Sequence, residues 1–245
     1  MTEAKKHQPK EKVGTVWATV LGVEIDEIEI TRAVIDLQEL AKDVRILTRN
    51  IDGLNHELYL ASFNTIEKAF FPLNLHAQWS QVVGKITPDS LTRLEFCAEE
   101  LSKHYSEETI DTEELAEITN VVDTLSEKIG ESSLPLTLRL VFIEEIENIR
   151  HSIRMYHVGG AKHVKKALQG TLGAVVANHT ELKTHSDDNA EVLKKMGELI
   201  DKLDVFTARA MKLHRILKSP IGYALKRLTD PDASDATDVE DAEET

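Results

Sequence analysis

The chain has 245 residues, one cysteine and 41% hydrophobic residues. A chain of this size can bury about 70% of its unfolded surface, so it requires neither a metal nor disulfides in order to fold. A single cysteine excludes a disulfide scaffold, and the lack of any apolar window of about 18 residues excludes a membrane span. Together with the lack of an apolar signal sequence, these features favour a cytoplasmic protein.

The formal charge of −14 is unevenly distributed. Residues 13–133 carry 23 acidic and nine basic groups, whereas residues 134–229 carry ten acidic and 16 basic groups. Such a chain could present a basic face to a polyanion, but charge asymmetry without a motif is more typical of a solvated surface. We therefore expect the charge mainly to keep the protein dispersed.

The two ends are polar. Residues 1–12 are basic and are predicted to form a flexible tail. Residues 230–245 carry eight acidic groups and no basic ones, so they are predicted to be disordered. This acidic tail could fold back over the basic half as a phosphate mimic, although an unstructured solvating end is the favoured interpretation.

The first half of the chain predicts helices interrupted by turn residues. Val13 and Trp17 begin a helical face, residues 22–30 fit either a helix or a strand, and the break at 50–53 ends the next helix. Thr87 and Pro88 together form a helix start. The predicted helices cover about 13–21, 30–50, 54–71, a short piece around Trp79, and 88–104.

The second half continues this pattern. A capping-box sequence at 111–114 opens a helix that ends at Gly130, and Gly159 with Gly160 interrupts the next one. A polar loop is predicted over 180–188. The predicted helices cover about 112–130, 133–157, 161–178 and 189–217, with a short amphipathic piece that ends at Leu228.

These elements predict an all-α fold, because no segment reads convincingly as a strand. The expected architecture is an antiparallel helical bundle of about seven to nine helices with one long C-terminal helix. Residues 13–229 are expected to form a single domain, with a possible subdivision near 131–133.

The long C-terminal helix carries an uninterrupted heptad-type seam, in which apolar residues alternate spacings of four and three. This seam could pack against a second copy or another protein. Leu193 and Ile200 widen it, which favours an internal spine of the chain's own bundle. The candidate interaction residues are Val192, Met196, Leu199, Leu203, Phe206 and Leu213.

One segment has a composition suited to catalysis. Arg150, Arg154 and His157 share a flank of one predicted helix. Histidine can transfer a proton near neutral pH, and arginine can hold a phosphate. The Arg-x(4–6)-His spacing resembles the motif of HEPN ribonucleases, a resemblance that covers this helix only. It implies a dimeric, metal-independent ribonuclease of the toxic or defensive kind that binds RNA, whereas the structural alternative is a salt bridge from Arg150 to Glu147.

Other candidate sites have weaker patterns. Lys162, Lys165 and Lys166 follow the glycine pair at a helix start, where a phosphate could bind, although a solvated basic face is the favoured interpretation. The chain contains no Glu-x-x-His or His-Glu-x-x-His sequence, so neither a metal nor another cofactor is expected.

Taken together, these patterns favour a non-enzymatic protein that associates, with itself or with another protein, through the long helix or an adjoining face. The ribonuclease that uses Arg150 and His157 is the alternative.

Overall fold

The computed structural model describes residues 1–105 and 112–211, and these residues confirm the predicted all-α fold class. No β-strand occurs in these two stretches. Short 3-10 turns lie at Glu3–Lys6 and Asp187–Asn189. The helices are α1 (Val13–Leu21), α2 (Glu27–Arg49), α3 (His56–Leu60), α4 (Phe63–Phe70), α5 (Ser80–Val83), α6 (Pro88–His104), α7 (Thr112–Glu131), α8 (Leu136–Arg154), α9 (Tyr156–Ala177), α10 (His179–Thr184) and α11 (Ala190–Ala210).

These residues pack into two compact units. The first contains the described residues of Met1–Glu107 together with Arg154–Gly160. The second contains those of Glu108–Ile153 and of Ala161–Thr245. That residues 13–229 form one domain, with a possible division near 131–133, stays a prediction.

The core of the first unit is organised around aromatic side chains. Trp17 of α1 lies with its ring centroid 5.9 Å from that of Phe70 and 5.4 Å from that of Trp79, the latter pair edge to face. All three side chains are buried. Contacts between these large rings fix the distances among α1, α4 and the turn before α5.

The N-terminal residues differ from the predicted flexible tail. Ala4 is fully buried, and the backbone N–H groups of Trp79 and Ser80 donate to the carbonyls of Glu11 and Pro9 at 2.8 and 2.9 Å. The polar composition of the segment does not report these contacts, because they are made by the backbone and by one small side chain.

The ambiguous segment before α2 is a turn followed by a helix start. Gly22 ends α1 with a φ of 65°, and the Asp26 carboxylate accepts hydrogen bonds from the N–H groups of Ile28 and Glu29 at 2.9 and 3.0 Å. This N-cap fixes the beginning of α2. Ile30, Val34 and the other residues on one side of α2 then pack into the core of the first unit.

The helix predicted over 54–71 is two helices, α3 and α4. The Ser62 carbonyl accepts from the N–H groups of Thr65 and Ile66 at 3.1 and 3.0 Å, so a new helix begins there. By contrast, α6 has its predicted bounds, because Thr87 Oγ1 accepts from the Ser90 N–H at 3.1 Å and Pro88 occupies the first turn.

The second unit pairs α7 with α11. Ile118, Val122, Leu125 and Ile129 of α7 are fully buried, as their spacing predicts. Lys202 contacts Glu117 at 2.8 Å, and Arg209 contacts Glu114. These ion pairs lie along the edges of an apolar interface.

Two boundaries in the second half differ from the predictions. Helix α8 ends at Arg154, so His157 belongs to α9, which is broken at Gly160 (φ 60°, ψ −165°). Most of the loop predicted over 180–188 is helical, as α10 and the turn Asp187–Asn189. The Asn189 side chain accepts from both the backbone N–H and the hydroxyl of Ser133 at 3.1 Å, which orders this connection.

Several predictions concern residues outside the described part of the chain. They are the capping residue Asp111, the end of the long helix at 212–217, the short piece up to Leu228 and the acidic tail at 230–245. Within the described part, none of the helices combines the length and the apolar character that crossing a bilayer requires.

We expect Leu203→Ala to lower the free energy of unfolding by about 2–5 kcal/mol, because it leaves a cavity in the α7–α11 interface. Val205→Ala is the matched control two residues away, where the side chain is 39% exposed, and it should change stability by less than about 0.5 kcal/mol. Urea unfolding followed by circular dichroism measures both. Equal effects would contradict the burial assigned to Leu203.

Two glycines of α9 should respond in opposite directions to alanine. Gly160→Ala forces a side chain into a backbone conformation that only glycine adopts readily, and it should cost about 1–3 kcal/mol. Gly173 is helical with no atom near the position of an added Cβ, so Gly173→Ala should stabilise by about 0.5–1 kcal/mol. Thermal unfolding compares the two, and a Gly160→Ala variant as stable as the wild type would refute the break.

Candidate functional site

The predicted interaction seam on α11 is covered within the chain. Leu199, Leu203 and Phe206 have no exposed surface, and Val192 and Met196 are also buried. The Lys128 ammonium contacts Glu191 at 2.5 Å at the start of α11, so charged side chains close the edge of this packing. The sixth seam residue, Leu213, lies outside the described residues.

Arg150 is held by two carboxylates within the second unit. Its Nη2 and Nε atoms donate to Asp123 Oδ1 at 2.9 and 3.0 Å, and its Nη1 donates to Glu147. The hydrogen bond that Arg150 donates to Glu147 raises the pKa of Arg150 most; partial burial opposes this, and the hydrogen bonds to Asp123 raise the pKa further. The guanidinium is therefore a structural cross-link between α7 and α8.

The other two residues of the ribonuclease motif belong to the first unit. Arg154 Nη2 lies 3.1 Å from Glu29 Oε2 on α2. The exposed His157 has its Nδ1 atom 3.1 Å from the Arg154 carbonyl. Both arginines of the motif are thus paired with carboxylates, and the ribonuclease interpretation stays a prediction.

The three candidate lysines follow the break at Gly160. Lys162 and Lys166 are exposed, Lys165 is half-buried, and Lys162 and Lys166 each have an interaction partner within the chain. The structure therefore adds no support for an anion site at these residues, which stays a prediction.

A surface that the sequence analysis did not identify lies on the outer side of α2. Ile28, Ile35 and Ile46 are 70%, 42% and 55% exposed. At 3.6 residues per turn they lie within about 20° of one another, and Leu37, packed on the core, lies on the opposite side. We call these three residues the outer isoleucine stripe.

A groove adjoins the middle of this stripe, between α2 and α4. Its volume is about 640 Å³, and Ile35 of the stripe and the exposed Phe71 are both part of its wall. The Gln38 side-chain oxygen is buried there without a hydrogen-bond partner. The lining residues are Ile35, Gln38, Glu39, Lys42, Asn64, Glu67, Lys68 and Phe71.

Polar contacts between α2 and α4 hold one wall of the groove in place. Arg45 Nη1 lies 3.2 Å from Glu67 Oε1 and 3.5 Å from Asn64 Oδ1, which ties α2 to α4. The ammonium of Lys85, which follows α5, donates to the Lys68 carbonyl of α4 at 2.8 Å. The groove is therefore bounded by helices that are linked to each other, and it does not depend on one side chain.

Charge is divided between the two ends of the stripe. Residues 24–29 contain four acidic groups and no basic ones, namely Glu24, Asp26, Glu27 and Glu29. Residues 42–49 contain three basic groups, Lys42, Arg45 and Arg49, and one acidic group, Asp43. The exposed members include Glu24 and Glu27 at one end and Lys42 and Arg49 at the other. The helix is thus acidic where it begins and basic where it ends.

The outer isoleucine stripe leaves a signal in the sequence. Ile28 and Ile35 are one heptad apart, and Ile46 follows eleven residues later, so all three fall on one helical face. Val34, Leu37, Ala41 and Val44 have the spacing of the inward face of the helix predicted over 30–50. A second apolar stripe on the opposite side of the same helix was the available signal.

No protein-family model, curated protein or solved structure matches the chain.

We expect the Arg150–Asp123 ion pair to contribute a small but measurable free energy to folding. A double-mutant cycle with Arg150→Met and Asp123→Asn should give a coupling energy of about 0.2–1 kcal/mol, because Asp123 is 52% exposed. Urea unfolding of the four proteins measures it. A coupling energy of zero would show that Arg150 is not held by Asp123 in solution.

Proposed function

We propose that the protein is a non-enzymatic interaction protein that binds a helix on the outer isoleucine stripe of α2. The observation that carries this proposal is the exposure of Ile28, Ile35 and Ile46 on one face, beside a groove of about 640 Å³. Isolated exposed apolar residues are normal, but an aligned set next to a concavity is typical of a recognition surface.

The alternative surfaces are less suited to this role. The five described seam residues of α11 are already buried, so they would require rearrangement before binding a partner. Leu136 and Leu140 of α8 are exposed, but they cover only two neighbouring turns of that helix. The face of α2 is longer, because its outermost isoleucines are separated by 18 residues, or about 27 Å.

The expected association is weak unless flanking residues add to it. Covering an isoleucine completely contributes about 1.5–3 kcal/mol, so three contribute up to about 9 kcal/mol. Association itself costs about 4–15 kcal/mol in lost freedom of motion. The complex should therefore depend on protein concentration and on the contacts that the charged ends of α2 supply.

The ribonuclease alternative has no comparable support. Arg150 and Arg154 are each paired with carboxylates, and Arg150 and His157 belong to different packing units. Cleavage requires an arginine that is available to a phosphate. The proposal is accordingly a binding function.

The finer architectural predictions are also part of the proposal. An antiparallel bundle is supported in the second unit, because contacts advance along α11 from Glu191 to Lys202 while they retreat along α7 from Lys128 to Glu117. A cytoplasmic location is supported by the presence of a single cysteine, Cys97, because proteins of oxidising compartments more often carry disulfide pairs.

Site-specific photo-crosslinking tests the proposed function. A photoreactive phenylalanine analogue in place of Ile35 should crosslink to a bound protein, either a second copy or a partner in an extract of the native cells. The matched control carries the same analogue in place of Phe96, an aromatic side chain on α6 that is 50% exposed. The stripe should crosslink more strongly than the control.

Loss of the crosslink should depend on the stripe itself. Ile46→Glu adds a charge about 16 Å along the same face from Ile35 and should reduce the yield several-fold, because burying an unpaired carboxylate is costly. Equal labelling from positions 35 and 96, or a yield at position 35 that Ile46→Glu leaves unchanged, would overturn the proposed function.

A further inference from the structure

We infer that the occupant of the outer isoleucine stripe is α2 of a second copy of this chain, packed antiparallel. This inference rests on the proposed function and adds the identity and direction of the partner.

The isoleucines have a nearly symmetric spacing about Leu37. Ile28 lies nine residues before Leu37 and Ile46 lies nine residues after it. In an antiparallel pair centred on residue 37, Ile28 of one copy therefore lies opposite Ile46 of the other. Ile35 lies two residues, or about 3 Å along the axis, from the centre, so the two copies of Ile35 approach each other near the two-fold axis.

The charges favour the antiparallel direction. Residues 24–29 have a net charge of −4, and the exposed Arg49 ends α2. Arg45 is already paired with Glu67, and Lys42 lies nearer the middle of the helix. Antiparallel packing brings Arg49 of each copy to the acidic start of α2 in the other, next to the segment that precedes Glu27 and contains Glu24. Parallel packing would place like charges together, so it is disfavoured.

The groove lies where a second copy makes its central contact. Ile35, Gln38 and Lys42 line it, and they occupy the middle turns of α2. Ile35 of the second copy approaches this region, and a donor from that copy can satisfy the buried Gln38 oxygen, which has no hydrogen-bond partner within the chain. In a two-fold interface the same surface of each copy faces the other, so that surface must carry both a projecting side chain, here Ile35, and a groove that accepts it.

Disulfide trapping tests the alignment. Variants Ile28→Cys and Ile46→Cys are prepared in a Cys97→Ala background, which removes the buried native thiol, and their helicity is checked by circular dichroism. Oxidation of the mixture should give the 28–46 disulfide between two copies in at least several-fold excess over either symmetric disulfide, because only paired Cα atoms about 4.4–6.8 Å apart form the bond readily. Leu140→Cys, with a side chain 58% exposed on α8, is the control for random collision.

Charge exchange gives a second test that needs no crosslink. Arg49→Glu and Glu24→Arg should each weaken self-association by about two- to ten-fold, and the double variant should recover most of the loss. Sedimentation velocity over a wide concentration range measures the dissociation constants. The protein is tested as the full chain, and neither residue caps α2 or lies in its core.

The outcomes separate this inference from the proposed function. Symmetric 28–28 and 46–46 disulfides in excess, or a strict monomer at every concentration, would overturn the antiparallel second copy. A monomer whose position 35 still crosslinks to a different protein, and loses that crosslink with Ile46→Glu, would overturn the second copy and leave the proposed function standing. If the protein neither self-associates nor crosslinks to another protein from position 35, the second copy and the proposed function are both overturned.

Discussion

Helix α2 has apolar residues on two opposite sides, and its own unit can bury only one of them. Ile30, Ala33 and Val34 pack into the core with Trp17 and Phe70, while Ile28, Ile35 and Ile46 project outward. The first set holds the helix in a fixed rotation, because a turn of about 100° would remove those residues from the core. The exposed set is therefore held outward by the packing of the inner one, and the Asp26 cap fixes where the helix begins.

The long seam on α11 shows why a pattern of this kind does not by itself identify an interaction surface. Its residues repeat with coiled-coil spacing, and the chain satisfies that spacing internally by packing α11 on α7. A heptad pattern reports only that a helix has a partner along its length. The α2 stripe is shorter and less regular, yet it is the one that remains exposed, so accessibility and not periodicity distinguishes the two.

The sequence predicts the helices well where a local chemical signal marks their ends. Thr87 and Pro88 define the start of α6, and Gly160 defines the break in α9, because both depend on the backbone chemistry of one or two residues. The division between α3 and α4 is not marked in this way, because apolar spacing continues through it. The burial of Ala4 was not predictable either, since Ala4 packs into a core made by residues distant in the chain.

The candidate functional residues were harder to predict for a related reason. Arg150 and His157 have the spacing of a catalytic motif. Spacing does not reveal that the Arg150 guanidinium donates hydrogen bonds to Asp123, which lies on a different helix. Ile35 and Ile46 were readable as a second face of the predicted helix, whereas Ile28 precedes its predicted start. Only the folded chain shows which face of α2 stays uncovered. Burial is decided by the whole unit, whereas a periodic pattern describes one helix.

The central claim is that the outer face of α2 is covered when the protein associates. Hydroxyl-radical footprinting of the intact chain at increasing protein concentration measures this directly, side chain by side chain. The account predicts that Ile28, Ile35 and Ile46 become protected together while Leu136 and Leu140 keep their reactivity. Association that protects Leu136 and Leu140 and leaves the three isoleucines fully reactive would contradict it.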